Sequence, residues 1–204
     1  RPKTFVPIYD VWLGWSNVSN LFLMLKKNIV FVAQSLDGYI AGPDGALDWL
    51  HAIPNPTQED MGFLALMDEV DAVVMGRTTF ETVCGFEGPW PYQKPVYVLS
   101  SSLSALPAKA KEHASLLSGS PVEVLAQIHA EGYHALYMDG GRTVQDFLRA
   151  DLIDELRITT IPVLLGGGFP LFGTLQQRVA FSHSKTKVYL GEVVQSHYVR
   201  NRML

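Results

Sequence analysis

The chain is poor in the residues that build disulfides and metal sites. It has one cysteine, Cys84, in 204 residues, and none of its six histidines forms an H-x-x-x-H pair. A single cysteine cannot form an internal disulfide, and without a C-x-x-C spacing there is no zinc-binding framework. The sequence therefore predicts a protein of the reducing cytoplasm that holds no metal.

The sequence also lacks runs of basic residues and long apolar segments. It has 16 Lys and Arg against 20 Asp and Glu, a net charge of -4, whereas binding to a nucleic-acid backbone requires clustered positive charge. The apolar clusters at 11–15 and 21–25 are too short to span a bilayer. These absences argue against nucleic acid and membranes as partners.

The first 27 residues do not match the pattern of the rest of the chain, and we predict that 1–27 is an N-terminal arm or extension. Its apolar clusters precede Lys26 and Lys27, whereas a secretory signal carries its charge ahead of a longer apolar run, so no export signal is predicted. Residues 28–204 are predicted to form one domain, because the 48% hydrophobic content of the chain is enough for one substantial core.

From residue 29 onward, strand and helix patterns alternate. Short apolar runs predict strands at 29–33, 70–75, 96–99, 135–138 and 155–161, and intervening helices at 58–68, from 78, at 122–131 and at 143–150. Such alternation is typical of an α/β fold with a largely parallel sheet covered on both faces. Two alternating segments at 181–190 and 193–201 then predict a closing antiparallel hairpin.

One strand end has the composition of an anion site. The apolar strand that ends at Met75 passes through Gly76 into Arg77, Thr78 and Thr79, where a helix is predicted to open. Gly76 allows a tight turn, and Arg77 offers a planar guanidinium that suits phosphate. A helix N-terminus adds unpaired backbone N–H groups, which bind anions.

Two further strand ends support the same interpretation. The strand at 96–99 ends in Ser100 and Ser101, and the strand at 135–138 leads through Asp139 into a Gly-Gly helix start. Because parallel strands end at the same edge of a sheet, all three ends are predicted to meet one polyanion.

From about residue 28 onward the chain resembles the dihydrofolate reductase-like superfamily, especially the branch that contains the C-terminal reductase domain of riboflavin biosynthesis. The matching segments are 33–42 (AQSLDGYIAG), 75–79 (MGRTT), 99–101 (LSS), 139–142 (DGGR) and 162–168 (PVLLGGG). Their order and spacing carry the resemblance. It implies a three-layer dihydrofolate reductase-like fold and an NADPH-dependent oxidoreductase that transfers a hydride to a pterin-like or aminopyrimidine substrate.

The resemblance also implies which residues contact NADPH. They are Ala33 and Ile40 around the nicotinamide, Gly76, Arg77 and Thr78 at the phosphates, Gly140, Gly141, Arg142 and Thr143 at the pyrophosphate, and Ser100 and Ser101 near the adenosine 2′-phosphate. The glycines suit this role because a side chain would stand between the backbone N–H groups and the phosphate.

Reduction of a C=N bond also requires a proton, and a carboxylate is expected to supply it. By resemblance, the acid that binds the pterin ring in dihydrofolate reductases falls on Asp60, with Glu59 as its neighbouring alternative. Buried beside an aromatic such as Trp49, this carboxyl would have a raised pKa and serve as a general acid. The alternative is a charge that only favours a helix start. Asp139, which replaces the first glycine of the family's Gly-Gly-Gly, is the second candidate catalytic acid.

The implied substrate contacts are Asp37, in the loop that covers the nicotinamide, Trp49 and Asp60. Lys94 stands where dihydrofolate reductases have the arginine that binds the glutamate tail of folate, so bidentate carboxylate recognition is lost. The leading hypothesis is a stand-alone riboflavin-type reductase of a small heteroaromatic substrate, a homodimer by resemblance. A true dihydrofolate reductase and a non-catalytic NADPH sensor are the two alternatives.

Overall fold

The computed structural model describes residues 26–202. The strands are Lys27–Ser35 (β1), Tyr39–Ala41 (β2), Ala72–Gly76 (β3), Val96–Leu99 (β4), Ala114–Leu117 (β5), Ala135–Asp139 (β6), Glu155–Ile161 (β7), Phe169–Pro170 (β8), Phe181–Tyr189 (β9) and Val193–Arg200 (β10). The α-helices are Phe63–Glu69 (α1), Arg77–Gly85 (α2), Pro121–Ala130 (α3) and Gly141–Arg149 (α4), and short 3-10 helices span Asp48–His51 and Ala108–Ala110. Most of the predicted arm lies outside the described residues.

Eight strands form the main sheet in the order β5-β4-β3-β6-β1-β7-β10-β9. The pairs from β5 to β7 are parallel, and β10 pairs antiparallel with both β7 and β9. The largely parallel sheet with a C-terminal antiparallel hairpin is therefore confirmed. None of the helices within 26–202 is long and apolar enough to cross a membrane.

The core has two layers, one on each face of the sheet. On one face α3 and α4 bury Ile128 and Phe147 against the sheet. On the other face α1 and α2 bury Leu66 and Phe80. The alternation of side chains along a strand explains this arrangement, because successive residues of a covered parallel strand face opposite layers.

The predicted helix at 58–68 is wrong at its start, because α1 begins only at Phe63. The preceding residues form turns in which Asn55 accepts a hydrogen bond from the N–H of Glu59 at 2.8 Å. Gln58 and Met61 have positive φ angles of 52° and 53°, which a helix does not contain. Side-chain-to-backbone hydrogen bonds of Asn and Asp thus replace the first helical turns.

A two-stranded sheet of β2 and β8 lies apart from the main sheet. Its strands are antiparallel, with Tyr39 opposite Pro170 and Ala41 opposite Phe169. Neither β2, β8 nor β5 was predicted. All three are short, with two to four residues each, so they carry too little periodicity to be recognised.

Candidate functional site

Two helices begin at the carboxyl edge of the sheet without a side-chain cap. The residue before α2 is Gly76 and the residue before α4 is Gly140, and neither helix start receives a side-chain hydrogen bond. By contrast, α3 begins with a reciprocal capping box between Ser120 and Glu123. The first-turn N–H groups of α2 and α4 therefore suit an anion better than those of α3.

The two uncapped helix starts interlock at what we call the helix junction, formed by Gly76, Thr79, Gly140 and Thr143. A Cβ atom on Gly140, whose φ is 86°, would lie 2.1 Å from Oγ1 of Thr79, and a Cβ on Gly76 would lie 3.3 Å from Oγ1 of Thr143. Gly140 thus requires glycine both for its backbone angle and for the space beside Thr79. The junction exposes backbone rather than side chains at the edge of the sheet.

A cleft of about 250 Å³ opens beside the helix junction. It is lined by Gly76, Leu99, Ser100, Ser101, Leu117, Ser118, Gly119, Pro121, Arg142, Thr143, Asp146 and Phe147. The cleft brings five of the predicted cofactor residues together, from three separate strand ends. Its lining from β5 and the start of α3 was missed because β5 was not predicted.

Arg77 is next to the cleft residue Gly76 but does not itself line the cleft, and it lies beside the loop that comes after β4. Its Nη1 donates to Oγ of Ser102 at 3.0 Å, and its Nε lies 3.6 Å from the carboxylate of Glu81. Oγ of Ser100 accepts hydrogen bonds from the N–H groups of Ser102 and Leu103, which fixes the turn. The structure thus joins the predicted Arg77 to the predicted serine loop and adds Ser102, which sequence reasoning missed.

Arg142 supplies a second guanidinium at the cleft. Its side chain is 83% exposed, and its Nε donates to Asp146 at 3.0 Å. With Arg77 near one side and Arg142 on the other, two arginines beside the cleft can face a phosphate.

Thr78 lies outside the cleft lining. It is exposed on the first turn of α2, where its carbonyl accepts a hydrogen bond from the hydroxyl of Thr82.

Gly141 lies under the small sheet rather than at the open cleft. A Cβ atom on Gly141 would lie 2.8 Å from Cδ1 of Ile40 and 3.4 Å from the carbonyl oxygen of Pro170. Ile40 and Gly141, both predicted to contact the cofactor, are thus in direct contact with each other. Because the neighbour is the flexible end of Ile40, the space at Gly141 is less strictly limited than at Gly140.

Asp139 ends β6 directly before the helix junction. Its carboxylate accepts a hydrogen bond from the hydroxyl of Tyr92 at 3.1 Å. The hydroxyl of Tyr137, which is also near Asp139, donates its hydrogen bond to the carbonyl oxygen of Phe31 at 2.9 Å. Burial raises the pKa of Asp139, and the hydrogen bonds from Tyr92 and from the N–H of Gly140 offset that effect only in part. Asp139, which is half-buried, is thus the acid of the site whose pKa is raised.

Aromatic rings form a wall beside Asp139, on the face of the sheet that α1 and α2 cover. Ring centroids lie 6.2 Å apart for Phe31 and Phe63, 6.4 Å for Phe31 and Tyr137, and 6.4 Å for Phe63 and Tyr92. Phe31 and Phe63 are only partly buried. By the strand alternation, Ala33 projects from the same face as Phe31. We call Phe31, Phe63, Tyr92 and Tyr137 the aromatic cluster, and the exposed ring surface of Phe31 and Phe63 suits stacking on a flat ring.

Asp60 lies in a different environment from the one predicted. It is exposed, and its two carboxylate oxygens accept from the N–H groups of Gly62 at 3.0 Å and Leu64 at 2.8 Å. These backbone hydrogen bonds lower the pKa of Asp60. The burial on which a raised pKa of Asp60 would depend is therefore absent, and the backbone contacts of Asp60 agree with the alternative of a charge that favours the helix start.

Trp49 is 7% exposed and packs near Ala33 and Met61. Among the described residues, its Nε1 has no hydrogen-bond partner. Asp37 uses both carboxylate oxygens for contacts within the protein. The substrate contacts predicted for Trp49 and Asp37 stay predictions.

Within 26–202, no three His, Cys, Asp or Glu side chains form a group able to hold a metal ion.

Comparison with known proteins shows which proteins this chain resembles. The uncharacterized protein YwjB of Bacillus subtilis (strain 168) is 36% identical over 179 residues, which are 87% of this chain and 99% of YwjB. A protein of Shewanella sp. PV-4 named for riboflavin biosynthesis is 49% identical, with a TM-score of 0.84 over 86% of this chain and 99% of that one.

The fold itself extends to more distant proteins. The dihydrofolate reductase of Enterococcus faecalis, solved with NADP(H), has a TM-score of 0.61 at 23% identity over 87% of this chain and 98% of that one. Residues 26–195 match the family model of the RibD C-terminal domain. With this match and the dihydrofolate reductase-like architecture described above, the chain belongs to the RibD C-terminal domain family.

Proposed function

We propose that the protein is an NADPH-dependent reductase that transfers a hydride to a small heteroaromatic substrate of the pterin or aminopyrimidine type, as in a riboflavin-type pathway. The observation that carries this proposal is the position of Asp139. This half-buried acid, whose pKa is raised by burial, lies between the uncapped helix junction and the aromatic cluster. A proton donor there would stand where a phosphate-bearing cofactor and a flat ring would meet.

The residues of the cleft fit NADPH. Gly76 and Gly140 leave room for a pyrophosphate at two helix N-termini, because neither helix start is filled by a side-chain cap. Ser100 and Ser101 line the cleft and the guanidinium of Arg77 lies beside it, where a 2′-phosphate would find donors. When bound, the cofactor supplies the hydride.

The proton would come from the carboxyl group of Asp139. A raised pKa keeps a carboxyl protonated at higher pH, and the protonated form can donate to the nitrogen of the C=N bond that the hydride reduces. Tyr92 holds the carboxyl in place through its hydroxyl, while Phe31 and Phe63 would contact the ring and exclude water.

An assay of NADPH oxidation tests the proposal. Oxidation with an aminopyrimidine that carries a ribosyl phosphate, and not with dihydrofolate, supports a riboflavin-type reductase. Oxidation with dihydrofolate would instead identify a dihydrofolate reductase. If the protein binds NADPH tightly but oxidises it with neither substrate, the proposal of an enzyme is contradicted and a non-catalytic NADPH sensor is supported.

Arg77→Ala is expected to weaken the preference for NADPH over NADH. Arg77 lies beside the cleft with a 47% exposed side chain, so its loss removes one charge-assisted hydrogen bond to a 2′-phosphate and leaves NADH affinity unchanged. The expected loss is about tenfold in NADPH affinity. Fluorescence titration of both nucleotides measures it, with Arg178→Ala, an exposed arginine outside the cleft lining, as the control. Equal affinities of the unaltered protein for both nucleotides would contradict the assignment.

We further propose that the protein is a homodimer that associates through the C-terminal hairpin. Strand β9 ends the described sheet, and exposed valines lie on both strands of the hairpin, with Val188 55% and Val199 46% exposed. An exposed edge strand is usually covered by a partner or protected by charge. Light scattering is expected to give about twice 22.6 kDa at micromolar concentration. Val188→Glu should shift the mass toward that of one chain, and a monomer mass for the unaltered protein would exclude the dimer.

A further inference from the structure

Asp37 connects two loops that are distant in the sequence. Its Oδ1 accepts from the hydroxyl of Ser35 at 2.6 Å and from the N–H of Leu165 at 3.1 Å, and its Oδ2 accepts from the N–H of Gly166 at 2.7 Å. The first loop joins β1 to β2, and the second, residues 162–168, ends in three glycines. One exposed carboxylate therefore holds both loops.

Other contacts make the two loops one body. The N–H of Leu36 donates to the carbonyl of Val163 at 2.8 Å, and the N–H of Leu171 donates to the carbonyl of Gly38 at 2.9 Å. A Cβ atom on Gly168 would lie 2.1 Å from the carbonyl oxygen of Ala41, so the two backbones cross in close contact. We call this body, residues 36–41 and 162–171, the loop pair.

The loop pair rests on the start of α4. Ile40 from one loop and Pro170 from the other both contact Gly141, as described above. Gln145, one turn further along α4, donates through Nε2 to the carbonyl of Pro170 at 2.9 Å. The position of the loop pair thus decides how closely Ile40 approaches the helix start at which the phosphates would bind.

We propose that Asp37 is a positioning residue that acts through Leu165 and Gly166 to hold the loop pair, and with it Ile40, against the nucleotide site at Gly141. This inference rests on the proposed function, because it takes the start of α4 as the place where NADPH binds. It assigns Asp37 a role through the loop pair, instead of the direct substrate contact that the sequence predicts.

A carboxylate suits this role for two physical reasons. Ordering the glycines at 166–168 costs more conformational entropy than ordering other residues. Hydrogen bonds from backbone N–H groups to an ionised acceptor are about twice as strong as neutral ones, so they offset that cost. Within the described residues, the other hydrogen bonds between the two loops are neutral backbone pairs, which leaves Asp37 as the charge-assisted contact between them.

Hydrogen exchange and NADPH titration of three variants test the inference. Asp37→Ala removes both acceptors, Asp37→Asn keeps one, and Asp44→Ala is the matched control. Asp44 also accepts from a backbone N–H, that of Ala46 at 3.0 Å, but its hydrogen bond stays within one turn. We expect amide exchange at Leu165 and Gly166 to rise about tenfold or more in Asp37→Ala, less in Asp37→Asn, and not at all in Asp44→Ala.

NADPH affinity is expected to change in the same order, with about a tenfold loss in Asp37→Ala and none in the control. Unchanged exchange in Asp37→Ala would overturn the link between the loops. Faster exchange with unchanged NADPH affinity would overturn the positioning role. If the unaltered protein binds no NADPH, the proposed function and the positioning role fail together, while the exchange rates still decide whether Asp37 holds the loop pair.

Discussion

Asp139→Asn is expected to lower turnover by about a factor of one thousand, within the range that general acid catalysis contributes. Asparagine has the size of aspartate, and its carbonyl oxygen can still accept from Tyr92, so the site keeps its shape. It has no acidic proton to donate to the substrate. NADPH affinity should change little, because the side chain faces Tyr92 in the aromatic cluster. Steady-state oxidation of NADPH and nucleotide titration measure the two effects separately.

Asp60→Asn is the matched control, since it makes the same chemical change at the other candidate acid. Asp60 is exposed and ionised, with its pKa lowered by two backbone N–H groups at the start of α1. Its loss should cost at most about 1 kcal/mol of stability and leave turnover unchanged. If Asp60→Asn abolishes turnover and Asp139→Asn does not, the proton donor is Asp60 and the proposed role of Asp139 is wrong.

The raised pKa of Asp139 also predicts a dependence on pH. In the unaltered protein, turnover should fall as pH rises through the folded-state pKa, because the carboxyl group loses the proton it donates. The free energy of unfolding should also fall as pH rises. A folded-state pKa above the unfolded value contributes stability that is present below the unfolded pKa and is lost as pH rises through the folded one. Above that pH, Asp139→Asn should therefore be at least as stable as the unaltered protein in urea unfolding.

Gly140→Ala is expected to remove NADPH binding and to destabilise the fold. Its Cβ would lie 2.1 Å from Oγ1 of Thr79, at a φ of 86°. Because ψ at Gly140 is 141°, its backbone lies outside the left-handed helical region, in a conformation that costs a residue with a side chain roughly 1–3 kcal/mol. Relief of the clash would add about 1–3 kcal/mol. Because Thr79 belongs to α2, that relief moves the two helix starts apart. Urea unfolding and nucleotide titration measure both consequences.

Two further variants separate the cost of the backbone conformation at position 140 from the cost of the steric clash with Thr79. Gly88 also has a positive φ, 99°, but a Cβ there meets no atom within 4 Å, so Gly88→Ala should show the backbone cost alone. In the double variant Gly140→Ala with Thr79→Ala the clashing oxygen is gone, and part of the lost stability should return. If Gly140→Ala is no less stable than Gly88→Ala, the helix junction is looser than described.

Apart from the overall sheet architecture, the features that sequence reasoning predicted correctly are local ones. The strand that leads to Gly76 and the strand that leads to Gly140 are each recognised from a few adjacent residues. A short apolar run followed by glycine is typical of a buried strand that ends in a turn. The misplaced helix start before Phe63 is also local in origin. There the hydrogen bonds of Asn55 and Asp60 to nearby backbone outweigh the helical pattern.

The environment of Asp139 could not be predicted in the same way. Tyr92, which holds its carboxylate, comes from the loop between α2 and β4, a segment with no periodic pattern of its own. The contacts of Asp37 with Leu165 and Gly166 join residues that lie farther apart still along the chain. A carboxylate's pKa depends on such neighbours, so a ranking of Asp60 against Asp139 requires the folded structure.

The helix junction has a consequence for the order of events in folding. Its halves, Gly76 with Thr79 and Gly140 with Thr143, come from separate parts of the chain and meet only when β3 and β6 pair. Nucleotide affinity should therefore arise late, after this long-range contact has formed. A nucleotide added during refolding would then slow unfolding without accelerating the early steps, since it binds only the finished state.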